Sequence, residues 1–145
     1  MLERTITKIF NELIAIFVSA YEGDKKIAEL LYDIRFHRCR IADRDHWKES
    51  RVYMHCGCAE MTICVSSSID ILSVENLQGL FAHEIGHIIH HQIPEILEDS
   101  LEKNEAATLT NLVDDELTAD YLIERLFGYH VYYDNRKVQW LKLED

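Results

Sequence analysis

Apolar positions in the first twenty residues recur at helical spacing: Ile6, Ile9, Phe10, Leu13 and Phe17 fall on one face of a helix predicted over 3–21. DKKIAELLYDIRF (24–36) keeps that period and predicts a second helix, with Gly23 between the two. The period is lost over 37–50 (HRCRIADRDHWKES), which reads as a loop or an irregular strand. RVYMHC (51–56) and EMTICVS (60–66) then alternate and are rich in β-favouring residues. They predict two strands joined by a turn around Gly57, with Met61, Ile63 and Val65 on one face of the second. A helical stripe resumes at Leu77, Leu80, Phe81 and Ile88, with Ser73 as its N-cap and Pro94 at or just past its end. Beyond an acidic connector (95–105), Asn104 is placed to cap a long helix of about 105–127 that Gly128 ends. The tail, YHVYYDNRKVQWL, is aromatic enough to pack as a strand or a short helix. The order of elements predicts an α+β fold in one domain over 1–145: N-terminal helices, a small mostly antiparallel sheet, and two longer helices packed beneath it.

Two of those helices carry polar residues where the pattern asks for apolar ones. FAHEIGHIIHH (81–91) sets His83 and His87 one turn apart on the same face, with Glu84 beside them. This is H-E-x-x-H, in which two imidazoles bind zinc and the glutamate acts as general base. The spacing follows from chemistry: nitrogen ligands one turn apart can each reach a metal about 2 Å away, and the adjacent carboxylate can reach a water beside it. A third protein ligand is still needed. A metzincin would have Gly and His at the positions held by His90 and Ile93, so that class is excluded. His91 continues the face but lies too far along a straight helix to close the site, and His90 and His91 are expected at the helix end without a metal role. The later helix answers better. Its stripe of Leu109, Leu112, Val113, Ala119, Ile123, Leu126 and Phe127 also contains Glu116 and Asp120, one turn apart. A buried carboxylate is costly unless paired or bound to metal. If the two helices cross there, Glu116 becomes the third ligand and Asp120 the acceptor that orients a ligating imidazole.

Composition narrows the partners. Twenty-six acidic residues against fifteen basic ones give a formal charge of −11, which argues against a nucleic-acid surface and against docking on anionic lipid. No apolar run approaches the roughly 20 residues of a membrane span. LIAIFVSA (13–20) faintly resembles a signal peptide, but Glu3, Asn11 and Glu12 break that pattern and an amphipathic helix is expected, with a cytoplasmic setting. The four cysteines, Cys39, Cys56, Cys58 and Cys64, do not make a disulfide scaffold in a chain with this much core, and a reducing environment is favoured. Cys39, His55, Cys56 and Cys58 could form a second zinc site, or a thiolate of the 56–58 turn could reach the first, but Cys-x-Cys is tighter than the usual structural spacing and ordinary strand and turn residues are expected.

The paired motifs SVENLQGLFAHEIGH (73–87) and ELTAD (116–120), followed by YLIERLFGYH, resemble the gluzincin metallopeptidases, most closely the M48-like branch, over about 60–130. Asn76 stands where that family usually has Glu, and the membrane spans of its larger members are lacking. Phage-repressor-cleaving proteases with the same first motif are similar too, but usually carry Asn where this chain has Asp120. The resemblance implies a zincin-like fold, a Zn²⁺ cofactor on His83, His87 and Glu116, Glu84 as general base, and a peptide or protein substrate laid along an edge strand, for which 60–66 is the candidate. An oxyanion stabiliser is required as well: Tyr121, Arg125, His130, Tyr132 and Tyr133 are all eligible, and His130 is the one set beside Glu84 as a candidate catalytic residue. The rival function is a regulatory or binding protein that keeps the metal for structure or sensing. Glu84 speaks against it, because a structural site has no use for a base next to its ligand.

Overall fold

The structure is a computed structural model that describes residues 3–23, 25–39, 54–66, 73–96 and 115–131; within these, the side chains of Cys39, His55, Cys56, Ser66, Asp115, Glu116 and Leu117 are outside the description. Helix α1 (Glu3–Ala20) buries Ile6, Ile9, Phe10, Leu13, Ile14 and Phe17, the face its period predicts with Ile14 added. Helix α2 (Lys25–Asp33) buries Ile27, Leu30 and Leu31. It ends three residues before the predicted boundary, and strand β1 (Arg35–Cys39) begins where a helix end and a loop were expected. The pair Ile34 and Phe36 fits a period of 3.6 or of 2 equally well over so short a run, and pairing with a distant strand decides between them.

Strand β2 (Met54–Gly57) leads through a short 3₁₀ turn, Cys58–Glu60, into strand β3 (Thr62–Ser66). The turn is displaced from Gly57: Met61, at φ 55°, takes the left-handed conformation instead. The sheet order is β1-β3-β2, with β1 parallel and β2 antiparallel to β3. The expected mostly antiparallel sheet is therefore a mixed one, because the segment read as a loop supplies a parallel neighbour. The same fact overturns 60–66 as the edge strand. β3 is paired on both sides, so its backbone donors and acceptors are already used, and the edges among the described strands belong to β1 and β2.

Helix α3 (Val74–Gln92) starts as its cap predicts: Ser73 Oγ accepts from the Asn76 backbone N–H at 3.2 Å and from Asn76 Nδ2 at 2.8 Å. It is buried on nearly every side, which makes it the central helix among the described elements. β2 and the 3₁₀ turn pack on it, and Gln92 Nε2 donates to the Cys58 carbonyl at 2.9 Å. Helix α4 (Asp115–Phe127) lies against α3 and ends at Gly128, whose φ of 65° suits a residue without a side chain. The earlier part of the helix expected over 105–127, with Asn104, lies outside the described residues.

Aromatic contacts tie helix α1 to the rest. Phe10, Phe36 and Phe81 form a triangle with ring centroids 5.0–5.5 Å apart. Phe17 stacks on Phe127 at 4.5 Å and meets Tyr129 edge-on. Burial in that contact pushes the Tyr129 phenol above its ordinary pKa. No described helix is long and apolar enough to cross a membrane.

Candidate metal centre

The crossing of α3 and α4 is set by one glycine. A Cβ built at Gly86 would lie 2.4 Å from the Ala119 carbonyl oxygen and 2.8 Å from its carbon, both backbone atoms that cannot swing away. The helices approach closely because Gly86 has no side chain and Ala119 a small one, fully buried. That contact fixes the neighbours: His83 is one turn before His87 on α3, and Asp120 follows Ala119 on α4.

His83 is fully buried, and its Nδ1 lies 2.7 Å from Asp120 Oδ1. An ionised carboxylate only accepts, so the ring proton sits on Nδ1 and leaves the Nε2 lone pair available. That Nε2 is 3.1 Å from Nε2 of His87, with the two rings nearly perpendicular at 86°. Two nitrogens bound to one tetrahedral zinc at 2.0–2.1 Å would be separated by roughly 3.3 Å. The imidazoles thus stand at the spacing a shared ion requires. Glu84, 3% exposed, completes a group with His83 and His87 whose ligand atoms all lie within 4.8 Å of one another. These three residues could hold a metal ion. Two imidazoles and a carboxylate suit zinc and related transition metals, whereas magnesium and calcium favour oxygen alone.

Asp120 thus lies against the His83 ring, where it can accept from Nδ1–H. Glu116 lies in the first turn of α4, four residues before Asp120, and its side chain is outside the description. His130 lies just past Gly128, largely exposed, and its polar contact among the described residues is Glu124, at 3.8 Å. Tyr121 is half-buried and Arg125 exposed; Tyr132 and Tyr133 are outside the described residues. At the end of α3, His90 is half-buried and His91 exposed. Cys58 is disulfide-bonded, which removes its sulfur from any second zinc site with Cys39, His55 and Cys56. The residue passed over by sequence reasoning is Gly86. Its signal was present, since a glycine inside a helix costs about 1 kcal/mol relative to alanine and points to a packing reason.

No family model, no curated protein and no solved structure matches the chain.

Proposed function

We propose that the protein is a zinc-dependent peptidase of the gluzincin type, hydrolysing peptide bonds in a peptide or protein substrate. The observation that carries this reading is the pair of Nε2 atoms 3.1 Å apart, one of them oriented by Asp120, with the Glu84 carboxylate buried beside them. His83 and His87 would hold the ion, with Glu116 as the third ligand from α4. Zinc held there supplies an acidified water and a Lewis acid for the scissile carbonyl. Glu84 takes the proton of the attacking water and delivers it to the leaving amine. Asp120 keeps the His83 ring in the tautomer that leaves Nε2 to the metal. His130 is the proposed stabiliser of the developing oxyanion. An extended substrate would add to β2, the described edge strand that packs on α3.

Elemental analysis of the purified protein tests the site and a peptidase assay tests the chemistry. About one zinc per chain is expected, and Glu116→Ala should lose or greatly weaken it. Glu84→Gln should keep the zinc and lower turnover by about 10²–10⁴-fold. Absence of metal after zinc is offered would remove the enzyme reading, and turnover that survives Glu84→Gln would remove the role of the base.

A further inference from the structure

A groove separate from the metal centre lies between α1, the end of α2 and the start of β1, with a volume of about 460 Å³. Small-molecule sites typically have volumes of about 300–1,000 Å³. Phe10, Ile14, Leu31 and Ile34 form an apolar floor, and all four are buried. Asn11, Tyr32 and Arg35 stand exposed at the rim. Tyr32 is 61% exposed, one of the few large apolar surfaces that the described residues leave in water. Arg35 is the one charged group among the described residues that line the groove, in a chain whose formal charge is −11. It is also held in place. Its Nη1 donates to the Tyr32 carbonyl at 2.8 Å and to the Ile34 carbonyl at 3.2 Å, and no carboxylate among the described residues pairs with it. Those bonds occupy one nitrogen and leave Nε–H and Nη2–H, the parallel donors that grip a carboxylate as a fork.

We propose that this groove binds a medium-chain fatty acid, with the hydrocarbon chain over the apolar floor and the carboxylate on Arg35. An apolar floor beside a single fixed cation matches a ligand that has an apolar body and one negative charge. The rest of this acidic chain disfavours such an anion, so the charge of Arg35 also says where it is received. The groove shares no residue with His83, Glu84 and His87 and stands whether or not that centre is catalytic.

Isothermal titration calorimetry with sodium decanoate, kept below the concentration at which micelles form, tests the proposal. One saturable site per chain is expected in the wild type and equally in His83→Ala, which separates the groove from carboxylate binding to a metal. Affinity should rise from hexanoate to decanoate by up to about fourfold per methylene. Arg35→Gln, a change at an exposed position, should weaken decanoate about tenfold or more and leave decanol binding unchanged. Ala15→Trp, at an exposed position on the rim, should fill the groove and weaken both ligands. Absence of saturation in the wild type would overturn the proposal, and so would equal decanoate affinity in Arg35→Gln. A wild-type dimer in sedimentation that Ala15→Trp separates and decanoate leaves intact would overturn it too, since a second copy would then occupy the groove.

Discussion

Asp120 shows how one hydrogen bond can decide whether a histidine is available to a metal. Its carboxylate, 2.7 Å from His83 Nδ1, draws the ring proton to that nitrogen and frees Nε2 toward His87. Asp120→Asn would keep the shape but remove the charge, and the amide could present its NH₂ group to Nδ1 and favour the opposite tautomer. Zinc affinity, measured by competition with a chromophoric chelator, should fall about 10–100-fold, with little change in the unfolding midpoint of the metal-free protein. A possible metal-binding group of His83, Glu84 and His87 was legible in the sequence because residues four apart on a helix must share a face. What spacing could not supply was the choice among oxyanion candidates. His130 follows the glycine that ends α4, and past that point no helical period constrains where a side chain goes.

The elements divide by how local their causes are. α1 and α3 were predictable because an amphipathic period and a capping serine act within one segment. β1 was not, because its five residues are held by pairing with β3, whose partner positions lie far along the chain. The central position of β3 was hidden for the same reason, since alternation reveals a strand and not its neighbours. The α3–α4 crossing belongs to this scale too. Gly86→Ala gains about 1 kcal/mol of helix propensity but drives a methyl group into the Ala119 backbone. Overpacking of this kind costs about 1–3 kcal/mol, and relief requires the helices to part. The variant should have a lower denaturation midpoint and should bind zinc more weakly than wild type, because parting the helices also moves Asp120 away from His83. A midpoint equal to or above that of wild type would mean the crossing tolerates a side chain.

At the scale of the whole molecule, helix α1 is seated by two aromatic clusters, one of them at the far end of α4. Tyr129 links that cluster to pH. Its phenol is held neutral by burial, with the folded pKa above the ordinary value of 10.0. The sign follows from linkage: the unfolded chain ionises first, so this contribution is fully present below pH about 10 and is lost as pH rises through the folded pKa. Tyr129→Phe should therefore flatten the alkaline decline in unfolding midpoint, measured across pH 8 to 11, and leave the neutral region little changed.

The position of β3 has a consequence for shortened chains. Removing residues 1–39 would take away α1, α2 and β1 together, and with β1 the partner that covers one side of β3. A row of amide and carbonyl groups on a strand carrying Ile63 and Val65 would then face water, ready to pair with the same row on another copy. Light scattering should find such a truncated chain self-associating, while the intact protein at equal concentration does not. By setting Arg35 and Arg38 at the sheet's edge in place of Ile63 and Val65, residues 1–39, about a quarter of the chain, would thus guard the sheet against growing.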